Sequence, residues 1–216
     1  VLSNLRGKPV FTPLYKPADK TSIVRDLDLD FDASRILFTG YKGTNNLFGV
    51  YEISADFSKL AKEMPYQTPA LVSPEDGKYD IQWWDGCYLP NKDQVILLGT
   101  AAYQFLPCED GNMPMAVLYR KDRKTGEVRQ LTYEQDSDYT PSITHDGRVL
   151  YTRWEYSDQP HYWSRVLMTM NPDGIGQLSV WGSNSFVPTF FYSARTIPGD
   201  PHKITMIGGG HHDRAE

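Results

Sequence analysis

Short apolar strands alternate with polar turns along this chain, and one arrangement of the two recurs three times, with a weaker fourth copy near the end. The first apolar residues of the four copies are Ile36, Val95, Val149 and Ile204. These residues are separated by 59, 54 and 55 positions. A nearly constant period of about 50 residues, built from short strands, is typical of radial β-architectures.

Each copy contains the same series of elements: a first strand, a polar turn, a central strand, a variable loop, a third strand, a tight turn and a fourth strand. The tight turn at 171–174 is Asn-Pro-Asp-Gly, in which Pro sets φ and Gly permits positive φ. Four antiparallel strands in about 50 residues make up one β-propeller blade. The prediction is an all-β chain, with one helix candidate at Ser54 to Glu63 between repeats.

We therefore expect residues 1–216 to form part of a single β-propeller domain. The expected blades lie at about 22–66, 67–132 and 133–181, with an incomplete one at 182–216. This makes about three and a half blades, whereas closed propellers have roughly four to eight. The chain starts at Val1 without Met and stops soon after a strand, so both ends are expected to be cuts in a longer protein whose remaining domains are partners of this one.

The insertions all follow the central strand of their repeat, at 41–46, 100–114 and 155–163. In equivalent blades such loops emerge on one face, and lengthened loops on one face usually mark the binding face. Aromatic residues concentrate in or near these segments, and the candidates for the ligand face are Trp83, Trp84, Trp154 and Tyr156. Such rings stack on sugar or peptide ligands, or else they pack between blades.

Composition excludes some functions. With 22 Lys and Arg against 27 Asp and Glu, the net charge is -5, and there is no basic excess to neutralise nucleic-acid phosphates. No apolar run approaches the roughly 18 residues that a membrane-spanning helix needs.

The candidate cofactor is a divalent metal ion, and only three residues are candidate ligands for it. His211 and His212 follow three consecutive glycines, and a turn there would be needed for both to bind one ion, because neighbouring strand residues point to opposite faces. Cys87 is the third candidate ligand, and whether it pairs with Cys108 stays open. Neither a nucleophile elbow nor a zinc-protease motif is present, so we assign no catalytic residue.

The segment 139–151, Tyr-Thr-Pro-Ser-Ile-Thr-His-Asp-Gly-Arg-Val-Leu-Tyr, resembles the repeat of TolB-like (WD40-like) β-propellers. A further series is similar to the propeller domain of the hydrazine synthase alpha subunit and its uncharacterised bacterial relatives. This series comprises 87–90, 151–156, 170–174, 182–185, 194–199 and 210–212. The resemblance runs from about Gln67 to the end and implies a propeller fold in the periplasm or outside the cell.

The chain departs from this family in one respect, the attachment of haem. The alpha subunit of hydrazine synthase attaches c-type haems through Cys-x-x-Cys-His motifs outside its propeller. Here Cys87 is followed by Tyr88 and Leu89, and Cys108 by Glu109 and Asp110, so no haem is attached within these residues.

Three functions stay open. The first is a non-catalytic binding or scaffold module of a larger extracytoplasmic bacterial protein, with a protein or small ligand on the face of the insertions. The alternative is the propeller domain of a metal- or haem-dependent oxidoreductase, contributing His211, His212 or Cys87 to a site completed elsewhere. A carbohydrate-active propeller would need a pair of carboxylates, and the spacing of the acidic residues selects none.

Overall fold

The computed structural model describes residues 2–11, 13–17, 22–42, 47–55, 66–75, 80–91, 93–106, 111–155, 164–182, 188 and 190–209. All regular elements within these ranges are β-strands, which we number β1 to β16 in chain order. The all-β prediction is therefore confirmed. The helix candidate at 54–63 lies almost entirely outside the described residues.

Twelve of the strands form three four-stranded antiparallel sheets, each with its strands in sequential order. Blade 1 contains β3 (Val24–Leu29), β4 (Arg35–Lys42), β5 (Leu47–Ser54) and β6 (Ala70–Leu71). Blade 2 contains β7 (Trp83–Tyr88), β8 (Gln94–Gly99), β9 (Val117–Asp122) and β10 (Val128–Gln130). Blade 3 contains β11 (Asp138–Ile143), β12 (Val149–Glu155), β13 (Ser164–Met170) and β14 (Leu178–Trp181).

Two hairpins complete the described strands. Blade 4 consists of β15 (Phe190–Ile197) paired with β16 (Asp200–Gly209). A short hairpin of β1 (Leu2–Ser3) and β2 (Val10–Phe11) precedes blade 1. The sequence pattern placed the end of blade 1 at about residue 66. In the structure its fourth strand, β6, lies at Ala70–Leu71, a few residues further along the chain.

The blades stack side by side, and the contacts between their first strands run β3 to β7, β7 to β11 and β11 to β15. The central strand of blade 2, β8, is consequently covered on both faces. On β8, Val95 and Leu97 belong to the apolar cluster with blade 1, whereas Ile96 and Leu98 belong to the cluster with blade 3. Strand residues alternate between faces, so a strand buried on both sides must be a continuous apolar run.

The first strand of every blade carries a β-bulge at the same place. The bulge residues are Asp26, Asp85, Thr140 and Ser193, and all four have φ near +50°. The pairing of each first strand shifts register beside them. Positive φ is unfavourable for residues other than glycine, so these positions need support from the surrounding structure.

Hydrogen bonds between blades supply that support. The Thr140 N–H donates to Asp85 Oδ2 at 2.7 Å, and the Ser193 N–H donates to Thr140 Oγ1 at 3.0 Å. The Asp85 N–H donates to Thr39 Oγ1 of blade 1 at 3.0 Å. Each of these bonds holds a bulge against the blade before it, so the first strands keep a common register.

Candidate functional site

The common register places one large side chain per blade at an equivalent position, immediately before the bulge. We call these residues the inner-strand row, and they are Arg25, Trp84, Tyr139 and Tyr192. Arg25 is exposed, and the three aromatic residues are half-buried. A β-bulge re-aims the neighbouring side chain, and bulges are common beside binding and active sites.

The inner-strand row lines two adjoining clefts. The first cleft, of about 270 Å³, is bordered by Arg25, Trp84 and Tyr139. The second cleft, of about 360 Å³, lies between blades 3 and 4 and is bordered by Tyr139 and Tyr192. Tyr139 borders both, so the two clefts adjoin at this residue.

Part of the long insertion of blade 2 lies beside the inner-strand row. Leu106 and Met113, from the long insertion of blade 2, line the first cleft. Phe48, which lies close behind the insertion of blade 1, lines it as well. The described part of the blade 2 insertion therefore borders the first cleft, whereas most of the insertions at 41–46 and 155–163 lies outside the described residues.

Aromatic and cationic groups shape the first cleft. The rings of Phe48 and Trp84 meet edge to face, with centroids 6.3 Å apart. Tyr41 stacks on Phe48 at 5.4 Å. The Arg25 guanidinium lies 5.8 Å from the Phe48 ring centroid, while its Nε contacts Asp26 Oδ2 at 2.8 Å. This wall offers ring faces for stacking and one cation at its rim.

The second cleft is built around a buried arginine. Arg165 is 8% exposed, and its guanidinium carbon lies 4.1 Å from the Trp154 ring centroid, 5.2 Å from that of Phe190 and 5.8 Å from that of Tyr139. Thr152, 1% exposed, lines the same cleft. Two blades therefore contribute polar and aromatic groups to one cavity.

The four aromatic candidates from the sequence have different environments. Trp84 lines the first cleft. Trp83 is 3% exposed and packs edge to face on Tyr119, with centroids 5.0 Å apart. Trp154 is 8% exposed and stacks on Arg165, so it supports the wall of the second cleft from behind. Tyr156 lies outside the described residues.

Cys87 is a free thiol on β7 and is 2% exposed. Burial raises its pKa well above the ordinary value, and the nearby Asp28 charge acts in the same direction. A protonated thiol is a poor metal ligand, because the thiolate is the binding form. Among the described residues, no group of three or more His, Cys, Asp or Glu side chains is placed to hold a metal ion. His211 and His212 lie outside those residues, so the metal site stays a prediction.

Two buried carboxyls have strongly raised pKa values. Burial raises the pKa of Asp85 to about 7, and the negative charge of Asp26 adds to this effect. Burial also raises the pKa of Asp138 to about 7, although Thr132 Oγ1 donates to it at 2.5 Å. Asp85 supports a bulge and Asp138 faces Arg153, with 3.5 Å between its Oδ1 and the arginine Nε. Neither carboxyl lines either of the two clefts.

The sequence matches no family model and no curated protein. Solved structures do match the fold. Hydrazine synthase from Kuenenia stuttgartiensis has a TM-score of 0.65 at 14% identity, over 86% of this chain and 29% of that one. A putative TolB from Agrobacterium tumefaciens has a TM-score of 0.64 at 12% identity, over 93% of this chain and 59% of that one.

A puromycin hydrolase matches with a TM-score of 0.54 at 10% identity, over 89% of this chain and 26% of that one. The chain has the fold of a TolB-like β-propeller, which confirms the resemblance found in the sequence. It spans less than two thirds of the length of each of these proteins, and at such identities the likeness defines the fold alone. The part of the chain that the structure describes has no helix long and apolar enough to cross a membrane.

Proposed function

We propose that this chain is a non-catalytic binding module of a larger extracytoplasmic bacterial protein. In this proposal, an extended segment of a partner protein binds in the two clefts along the inner-strand row. The observation that carries the proposal is the row itself. Four successive blades place a large side chain at one equivalent position, and these side chains border two clefts that share Tyr139.

The dimensions of the two clefts support a ligand that occupies both. The second cleft, of about 360 Å³, falls within the roughly 300 to 1,000 Å³ that is usual for a small-ligand site, and the first, of about 270 Å³, lies just below it. Because the two share Tyr139, a chain that crosses the blades can place one side chain in each cleft. Rings of Trp and Tyr provide large contact areas at a small cost in conformational entropy.

The chemistry of the lining supports binding rather than catalysis. The described residues that line the two clefts include no histidine, cysteine, lysine or carboxylate. Those are the groups that usually transfer protons or attack substrates in enzymes. The extracytoplasmic location follows from the family resemblance of the sequence.

The test is a selection of random dodecapeptides on the full chain, followed by affinity measurements on variants. Trp84→Ala should weaken binding of the selected peptides about 30-fold, because it removes an aromatic anchor that contributes roughly 2 kcal/mol. The matched control is Trp181→Ala, because Trp181 is 49% exposed on β14 and lines neither cleft. The proposal would be overturned if the selected peptides bound wild type and Trp84→Ala equally well. It would also be overturned if Trp181→Ala weakened peptide binding as much as Trp84→Ala does.

A further inference from the structure

The first cleft presents two N–H groups without an acceptor. The side-chain NH2 of Gln82 and the indole N–H of Trp84 belong to its lining, and they donate to no acceptor among the described residues. Both residues are half-buried, and neither nitrogen is enclosed in the way that the unpaired indole nitrogen of Trp83 is. The Thr100 N–H holds the backbone of Gln82 by donating to its carbonyl at 3.1 Å. A ligand with acceptor atoms would therefore meet two donors from neighbouring positions of blade 2.

Most side-chain oxygens of the same lining already accept a hydrogen bond from the backbone. Gln82 Oε1 accepts the Phe48 N–H at 3.5 Å, which orients the amide so that its NH2 is the unpaired end. Thr100 Oγ1 accepts the Gln82 N–H at 3.0 Å. Ser137 Oγ accepts the Ala116 N–H at 3.2 Å, and the described lining includes no carboxylate. The cleft offers more donors than acceptors, so it favours a ligand that accepts hydrogen bonds without donating them.

The rim of the first cleft is close to neutral. Arg25 is the charged residue of the described lining, and its Nε contacts Asp26 Oδ2 at 2.8 Å. A carboxylate of a ligand would compete with Asp26 for this guanidinium, whereas a carbonyl oxygen would not. The electrostatic preference of the cleft is therefore for an uncharged ligand.

Rings form the walls of the first cleft. Phe48 and Trp84 meet edge to face, and Tyr139 borders the cleft from blade 3. Such walls match a flat and rigid apolar group. Proline combines an apolar ring with an amide nitrogen that carries no hydrogen, and the carbonyl before it remains an acceptor. A cleft of about 270 Å³ has room for one such ring.

We propose that the first cleft binds a proline-containing segment of the partner protein in an extended conformation. The proline ring packs against the rings of Trp84 and Tyr139, and carbonyl oxygens of the segment accept the N–H groups of Gln82 and Trp84. Extended proline-rich chains have no internal hydrogen bonds, so their carbonyls are available, and aromatic-lined grooves are a common way to bind them. The inference rests on the proposed function, since it names the class of segment that the inner-strand row binds.

The test compares two uncharged hexapeptides with acetylated and amidated ends by isothermal titration calorimetry on the full chain. One consists of proline alone, and the other alternates Ala and Gln. Hexaproline should bind at least about fivefold more tightly, because the Ala-Gln peptide would leave backbone N–H groups without an acceptor in the cleft.

Two variants remove one donor each. Gln82→Glu keeps the shape of the side chain and an acceptor for the Phe48 N–H, but it replaces the NH2 by an oxygen. It should weaken hexaproline binding about tenfold and leave the urea midpoint almost unchanged. Trp84→Phe keeps a ring and removes the indole N–H, and it should weaken hexaproline binding about fivefold. Gln104→Glu is the matched control, because Gln104 is exposed on the same blade and lines neither cleft, and it should leave the affinity unchanged.

Equal affinities for the two hexapeptides, or an unchanged hexaproline affinity in both Gln82→Glu and Trp84→Phe, would overturn the inference. Tighter binding of blocked hexaglutamate or of cellohexaose than of hexaproline would also overturn it, and would assign the cleft to an anion or to a sugar. If any of this happens while Trp84→Ala still weakens binding of the selected dodecapeptides, the proposed function stands and only the ligand class is wrong. If Trp84→Ala has no effect on the dodecapeptides, the proposed function itself fails.

Discussion

Replacing Asp85 by Asn should stabilise the protein, although Asp85 is buried and hydrogen-bonded. The residue is 8% exposed and has φ of 52° at the bulge of β7. Its Oδ2 accepts the N–H of Thr140 at 2.7 Å. Asn has the same shape, retains an amide oxygen for this bond and tolerates positive φ better than most residues. What the substitution removes is a negative charge in a poorly solvated place.

The magnitude follows from the pKa. Burial, followed by the charge of Asp26, raises the pKa of Asp85 from 3.8 to about 7, while Arg195 and Arg25 act in the opposite direction. This change in pKa corresponds to about 4 kcal/mol, at about 1.4 kcal/mol for each tenfold change in proton affinity. Because the folded-state pKa is raised, the stability is fully present below the unfolded pKa and is lost as pH rises toward 7. Above pH 7 the folded protein carries the whole cost of the buried charge.

We therefore expect Asp85→Asn to increase the free energy of unfolding at pH 8 by about 1–3 kcal/mol, allowing for relaxation around the charge. At pH 4 the carboxyl is already neutral in the folded state, so the two proteins should be nearly equally stable. The assay is urea unfolding followed by tryptophan fluorescence between pH 4 and pH 8. The difference between the two proteins is the quantity to compare, because Asp138 also has a pKa raised to about 7 by burial and remains in both.

Asp80→Asn is the control, since Asp80 is exposed, and it should change stability little at any pH. A loss of stability in Asp85→Asn at pH 8 would refute the reasoning. An increase in the free energy of unfolding of the same size at pH 4 and at pH 8 would also refute it, because an effect that does not depend on pH cannot come from the charge.

Two more predictions concern blade 2. Gly99→Ala should lower the free energy of unfolding, measured by urea titration, by about 1–3 kcal/mol. The reason is that an added Cβ would lie 2.3 Å from the Trp83 ring and overpack the core. A change below about 0.5 kcal/mol would contradict this, because it would show that the ring moves aside freely. In a Cys108→Ser background, Cys87 should not react with Ellman's reagent at pH 8 until the protein is unfolded, because burial raises the pKa of its thiol. Rapid reaction of the native protein would contradict the buried position of this thiol.

Much of the fold was predictable from the sequence. The apolar run from Val95 to Gly99 was expected to be a strand, and β8 spans Gln94–Gly99. The turn at 171–174 also joins two strands of one blade, and Gly174 has φ of +90° there. These elements depend on local chemistry, which is apolar runs between residues that favour turns.

The candidate site was predictable only in part. Large aromatic residues on one face were expected, but the sequence could not tell Trp84, which lines a cleft, from Trp83, which is buried beside it. A signal for the row was present in the repeats, as a large side chain followed by a short polar one. The four pairs are Arg25-Asp26, Trp84-Asp85, Tyr139-Thr140 and Tyr192-Ser193. It was missed because the strand pattern does not show that the second residue of each pair forms a bulge.

The sequence by itself determined the repeat, the strands and the propeller fold, because these follow from periodicity and turn chemistry within about 50 residues. Only the tertiary structure decided which side chains converge. Neighbouring strand residues point to opposite sides, so a single bulge decides which of them faces a cleft. Arg165, Thr152 and Phe190 come from three strands of two blades. They form one cavity because β15 packs against β11, β12 and β13 of blade 3.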